Sequence, residues 1–145
     1  MSIKIPRRLL ADMFTHAFED DPNECCGLLF GLGDQADEVH RMTNMNSKPI
    51  RKYTMRSEEL LEAQEVARYS SRELVAIYHS HTFTQAYPSV TDISNAIKVA
   101  KISTRHVIIS LVEKTRPVVR AFSINGRSEV IELVVETDGE PYRGV

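Results

Sequence analysis

The sequence predicts an α/β fold in which a β-sheet is covered by helices on both faces. Two observations lead to this prediction. Amphipathic segments with helical spacing are interleaved with about six or seven short apolar runs typical of strands. The chain has 145 residues, of which 42% are hydrophobic and 26% charged, and these values fit one ordinary domain and exclude a wholly disordered chain.

The first half of the chain predicts a short strand followed by a helix. Ile3 to Ile5 favours an edge strand. Pro6 suits a helix start because its missing N–H would have no partner there, and the helical spacing continues to Glu19. The elements expected next are a strand at 26–32, strands at 39–42 and 52–55 on either side of a polar loop, and a helix from Ser57 to about Tyr69.

The second half of the chain contains the most distinctive segment. A buried-type strand at 74–78 runs directly into His79-Ser80-His81, and a polar loop then leads to a helix that starts near 89–91 and runs to Lys101. A strand is expected at 107–112, and the runs 118–124 and 130–135 predict a hairpin joined at Asn125-Gly126. We therefore expect one domain over 1–135 and a loose polar tail over 136–145.

Composition excludes several classes of function. Eighteen Lys and Arg against 20 Asp and Glu give a net charge of −2, which argues against a nucleic-acid partner bound through bulk positive charge. Cys25 and Cys26 are adjacent and form no disulfide framework, and we expect a structural role because no base is paired with either. No apolar run reaches the roughly 20 residues of a membrane span, and no signal peptide is recognised, so we expect a cytoplasmic protein.

The two histidines after the predicted strand have the spacing of metal ligands. Residues i and i+2 of a strand project from the same face, with Cα atoms roughly 6.6 Å apart, so His79 and His81 can converge on one zinc ion. Asp92 follows across a loop, at the start of a predicted helix, and can supply a third ligand. Three protein ligands leave a position open for water, which is the arrangement of catalytic zinc.

Each part of this pattern also has a purely structural interpretation. A His-x-His pair at a strand end is often two polar residues that enter a loop. Ser89-x-x-Asp92 matches a helix capping box, in which Ser89 caps the helix and Asp92 reaches back to it. The residues alone leave these alternatives open, although all four residues follow one buried strand in order.

The combined motif resembles that of a known family. His79-x-His81, ten intervening residues and Asp92, with Ser89 three residues earlier, is similar to the JAMM motif of the MPN-plus (JAB) metallopeptidases. Glu24, just before an apolar run, stands where that family has an upstream glutamate. The resemblance extends from the first helix to about Val130. It implies a single three-layer domain with a mixed β-sheet, similar in outline to cytidine deaminases.

The resemblance also implies a role for each motif residue. His79, His81 and Asp92 would hold one zinc ion. Glu24 would be the general base that takes a proton from the attacking water and returns it to the leaving amine. Ser89 would donate a hydrogen bond to the developing oxyanion.

Within the family, the chain most resembles the small bacterial Mec-type enzymes. These remove cysteine from the C-terminus of a ubiquitin-like sulfur-carrier protein, so the resemblance implies such a carrier as substrate. A carrier used for another sulfur-containing cofactor or for a siderophore stays open. Thr82 stands where many ubiquitin-cutting relatives have proline, which weakens an inference to deubiquitinase-like isopeptidase activity.

Two alternative functions belong to other classes of protein. A metal-free MPN-type interaction scaffold is disfavoured because all five motif residues are present. A zinc nucleobase deaminase would need His-x-Glu and Pro-Cys-x-x-Cys patterns, and neither occurs in this sequence.

Overall fold

The computed structural model describes residues 1–99 and 104–142. The helices in these ranges are α1 (Arg7–Asp20), α2 (Ser57–Tyr69) and α3 (Val90–Val99). The strands are β1 (Ser2–Lys4), β2 (Cys26–Leu32), β3 (Gln35–Met42), β4 (Glu73–His81), β5 (Thr104–Ser110), β6 (Val118–Ile124), β7 (Val130–Thr137) and β8 (Glu140–Pro141). None of these helices is long and apolar enough to cross a membrane.

The strands form one mixed sheet in the order β1-β3-β2-β4-β5-β6-β7-β8. The pairs β4–β5, β1–β3 and β1–β7 are parallel, and the other pairs are antiparallel. Because β1 pairs with both β3 and β7, the sheet curls until its two sides meet. The first strand therefore closes the sheet and is not the edge strand expected from sequence.

The core has two sides, as the predicted three-layer α/β fold requires. Helix α1 packs its apolar stripe (Leu9, Leu10, Met13 and Ala17) against one face of the sheet. Helix α2 packs Ala63 and Ala67 against the opposite face, where α3 also contacts the sheet, at β6. Alternation of side chains along β2 then buries both sides of that strand. The fold prediction is confirmed.

Several predicted boundaries were wrong. Strand β3 begins at Gln35, and residues 52–55 form no strand, since only Met55 bridges to Asn44. Strand β5 ends at Ser110, before Val112. Part of the predicted loose tail over 136–145 is ordered, because β7 continues to Thr137 and β8 pairs with it, and residues 143–145 lie outside the described residues. The predicted end of the third helix at Lys101 lies outside the described residues.

Candidate metal centre

The two histidines are the last positions of β4, the strand between β2 and β5. The apolar run that predicts this strand stops at Tyr78, but pairing with β5 continues through His79, opposite Ile108, to His81, opposite Ser110. The strand therefore holds the His-x-His pair in extended backbone. Both imidazoles lie on the α2–α3 side of the sheet and are buried.

Helix α3 brings Asp92 to the histidines. Ser89 precedes the helix, and its Oγ accepts a hydrogen bond from the Asp92 N–H at 3.0 Å. The Asp92 Oδ2 accepts one from the Ser89 N–H at 2.9 Å, which completes the capping box. The same Oδ2 lies 3.2 Å from His79 Nε2 and 3.0 Å from His81 Nε2, and the two nitrogens are 3.1 Å apart.

These three atoms form a group that can hold a metal ion. The His81 Nδ1–H donates to the Gln85 carbonyl at 2.8 Å, which orients the ring so that Nε2 faces the centre. The His79 ring stacks on Tyr53, with ring centroids 4.6 Å apart and planes at 28°. Within the described residues, the buried His79 Nδ1 has no hydrogen-bond partner.

Glu24 reaches the centre from the neighbouring strand. In the antiparallel β2–β4 pair, Cys26 lies opposite His79, and the Ser80 N–H donates to the Cys25 carbonyl at 3.1 Å. Continuing this register two residues beyond Cys26 places Glu24 opposite His81, on the same face. The Glu24 side chain is buried, with 5% of the residue exposed.

Burial and the neighbouring charges shift the protonation of each group. Burial raises the pKa of the Glu24 carboxyl to about 8, with His81 opposing and Asp92 reinforcing the shift. Burial also lowers the pKa of His79. Burial opposes the charged forms of Asp92 and His81. The hydrogen bonds between them outweigh it, so the pKa of Asp92 is held well below its usual range and that of His81 is raised.

The structure thus brings together all five predicted site residues. It shows that Ser89 is the helix cap, while its expected contact with substrate stays a prediction, as do the roles of the other four. Tyr53 was missed because it lies in the polar loop between β3 and α2, where nothing in the sequence marks a stacking partner. Tyr87, in the loop that follows the histidines, is half-exposed and packs edge-on against Phe122.

The adjacent cysteines Cys25 and Cys26 are both buried. Cys25 packs on the α1 side of the sheet and Cys26 on the α2 side. Burial raises the pKa of each thiol to about 12, so neither forms a thiolate readily near neutral pH. This environment agrees with the structural role expected from sequence.

Comparison with known proteins identifies the class of fold and site. The family of prokaryotic homologues of the JAB domain matches residues 6–125. The chain therefore belongs to this family, which confirms the resemblance seen in the sequence.

Individual relatives agree with this assignment. A CysO-cysteine peptidase from Mycobacterium tuberculosis is 36% identical over 118 residues, which cover 80% of this chain and 78% of the relative. A desampylase from Pyrococcus furiosus is 28% identical over 115 residues, covering 78% and 76%. The solution structure of a protein from Desulfitobacterium hafniense superimposes with a TM-score of 0.82 at 30% identity, covering 95% of this chain and 94% of that one.

The geometry predicts that two histidines account for metal binding. The purified chain should carry about one divalent metal ion, and the double variant His79→Ala, His81→Ala should lose it and keep its fold. Elemental analysis with circular dichroism measures both properties. His40→Ala, which changes a half-buried histidine of β3, is the matched control and should keep the metal. Full metal occupancy in the double variant would contradict the assignment.

Proposed function

We propose that the chain is a zinc metallopeptidase that hydrolyses the amide bond after the C-terminal glycine of a ubiquitin-like sulfur-carrier protein, releasing cysteine. The observation that carries this proposal is a buried carboxyl of raised pKa, Glu24, opposite one of three convergent metal donors. A metal-free scaffold gives no reason for three buried or partly buried metal-ligating groups to converge on one point. The cytoplasmic location and the absence of a nucleic-acid partner stay predictions.

The donor set fits zinc. Two imidazole nitrogens and one carboxylate oxygen are zinc ligands, and their separations of 3.0, 3.1 and 3.2 Å are close to the edges of about 3.3 Å in a tetrahedron with 2.0–2.1 Å bonds. His79, His81 and Asp92 would hold the ion and leave one position open. The chemistry that zinc supplies when bound is Lewis-acid catalysis, which acidifies a water molecule and polarises a carbonyl oxygen.

Glu24 is suited to move the proton. A general base works best with a pKa near the operating pH, and burial moves the Glu24 pKa towards that range. Its carboxylate would take the proton of the attacking water and deliver it to the amine of the departing cysteine. Continued from Cys26, the β2–β4 register would place Glu24 on the same face as His81.

Ser89 can have two roles, as a helix cap and as a hydrogen-bond donor to the oxyanion. As the helix cap, its Oγ accepts a hydrogen bond from the Asp92 N–H, which uses a lone pair and leaves the hydroxyl hydrogen free to donate. Directed at the substrate carbonyl oxygen, that hydrogen would stabilise the oxyanion. The cap would then orient the donor as well as start the helix.

The substrate class rests on the relatives. The mycobacterial relative is a CysO-cysteine peptidase, and the archaeal relative is a desampylase. The first supports release of cysteine from a carrier. The second supports a second candidate function, in which the same centre cleaves an isopeptide bond to a ubiquitin-like protein.

Glu24→Gln tests the general base. The amide is nearly isosteric but cannot accept a proton, so the variant should bind zinc normally and lose at least about 10²-fold in turnover. Steady-state kinetics and elemental analysis measure the two properties on the same preparation. Full activity would reduce Glu24 to a buried structural residue.

Ser89→Ala separates the cap from the oxyanion donor. Loss of the cap alone should cost about 1 kcal/mol of unfolding free energy and leave the turnover of the folded enzyme unchanged. Loss of an oxyanion donor should also lower kcat about 10²-fold with little change in KM, because that hydrogen bond strengthens only in the transition state. We expect both effects, measured by denaturant unfolding and by kinetics. A stability loss with unchanged kcat would remove the catalytic role.

The substrate is tested with two parallel assays. A sulfur-carrier protein extended at its Gly-Gly end by one cysteine should lose that residue, as followed by mass spectrometry. A ubiquitin–lysine isopeptide should be cleaved little, because Thr82 stands where many ubiquitin-cutting relatives have proline. Cleavage of the isopeptide alone would favour the second candidate function and leave the zinc chemistry intact.

A further inference from the structure

The segment between β3 and α2, residues 43–56, carries an unusual charge. This basic loop contains no Asp or Glu, although the chain as a whole has a net charge of −2. Its cationic residues are all exposed. They are Lys48, Arg51, Lys52 and Arg56.

One side chain makes four of the hydrogen bonds that order the basic loop. Asn44 Nδ2 donates to the Lys52 carbonyl at 2.9 Å and to the Glu24 carbonyl at 3.0 Å. Its Oδ1 accepts from the backbone N–H groups of Asn46 at 3.0 Å and Thr54 at 3.1 Å. The cations are therefore attached to a built structure and not to a free coil.

The same loop forms a wall of the metal centre. The Tyr53 ring stacks on His79, and the Pro49 carbonyl accepts a hydrogen bond from the Glu24 N–H at 2.7 Å. The Ile50 carbonyl accepts one from the Thr82 hydroxyl at 3.4 Å. The exposed cations therefore belong to the same loop that covers one side of the centre.

The cations of the loop are not neutralised within the described part of the chain. None of the four lies within 4.0 Å of a carboxylate there, whereas Arg41 and Arg72 each pair with two and Arg120 pairs with one. The acidic groups on the α1 side of the loop have other partners. Glu19 pairs with Arg41 at 2.8 Å, and Asp20 lies 3.4 Å from His16.

We infer that the basic loop is a docking surface for an acidic face of the ubiquitin-like carrier, beside the tail that enters the metal centre. This inference rests on the proposed function. Four unpaired charges spread along a fixed loop match an extended acidic surface better than a single carboxylate. Charges at the rim of an interface raise the association rate and are screened by salt, so the loop would act on KM and not on the chemical step.

The test neutralises the loop without adding negative charge. In the full zinc-loaded chain, the triple variant Lys48→Gln, Arg51→Gln, Lys52→Gln leaves Arg56, whose guanidinium contacts the Met45 sulfur, unchanged. On a sulfur-carrier protein extended by one cysteine, KM should rise about 10-fold at low salt with kcat unchanged. The difference should disappear at about 1 M salt, where the Debye length is about 3 Å.

The control variant removes three charges from the other end of the sheet. It is Lys4→Gln, Arg68→Gln, Arg127→Gln, at exposed positions beside the β2–β3 turn, in the last turn of α2 and in the β6–β7 turn. Its KM should match that of the unaltered chain. An equal rise in KM for both triple variants, or a rise that salt does not change, would overturn the inference.

Two further measurements separate the docking surface from the proposed function. On a short peptide that ends in Gly-Gly-Cys, the loop variant should match the unaltered chain. An equal loss on peptide and carrier would instead assign the loop to the carboxylate of the released residue and overturn the docking surface.

Binding of the carrier is also titrated against Glu24→Gln with and without the loop changes. If the unaltered chain cleaves nothing but binding still weakens, the function fails and the docking surface stands. If it cleaves the carrier and the loop changes alter neither KM nor binding, only the docking surface fails.

Discussion

The antiparallel register between β2 and β4 is the constraint on which the centre depends. Opposed residues of an antiparallel pair share a face, and a slip of one residue would turn every side chain of a strand to the other face. The pair has its irregularity between Leu29 and Phe30, away from the site, and runs in register from there to Cys26 opposite His79. The Ser80 N–H to Cys25 carbonyl hydrogen bond extends this register by one pair, and its further extension places Glu24 opposite His81. Packing in the core stabilises this register. Both faces of β2 are buried, so a slip of one residue would exchange the two sets of packed side chains.

Features set by neighbouring residues could be predicted from the sequence, and features set by contacts between distant parts of the chain could not. Local periodicity places α1 and α2 within one residue of their observed bounds, because helical spacing is encoded nearby in the chain, although neither helix begins with a side-chain cap hydrogen bond. Closure of the sheet by β1 could not be predicted, since it joins Ser2 to Val134, far apart along the chain. The histidines and Asp92 lie close in sequence and were found by spacing. Glu24 was found by family resemblance alone, and Tyr53 had no signal, because both reach the centre through tertiary contacts.

The two interpretations of Ser89-x-x-Asp92 that the sequence left open are not alternatives in the folded chain. A carboxylate oxygen has room for several partners, and Asp92 Oδ2 accepts the Ser89 N–H while facing both imidazoles. The cap therefore orients the carboxylate, and the N-terminal end of α3 favours its negative charge. Removing one element of this arrangement affects the others, so the helix start and the metal centre form one structural unit.

One wall of the centre is a loop, whose backbone lacks the regular hydrogen bonding of strands and helices and loses conformational entropy when it is ordered. Asn44 supplies part of the missing hydrogen bonding. Its amide both donates and accepts, and it satisfies backbone groups of the loop that a neighbouring strand would otherwise satisfy. Met55 adds one bridge back to Asn44. The side chains of the loop are thereby left for other tasks: Tyr53 covers the His79 ring, and the cations face solvent. Charge of one sign can be concentrated in such a loop because its shape depends on backbone contacts and not on ion pairs, and repulsion between exposed cations in water is weak.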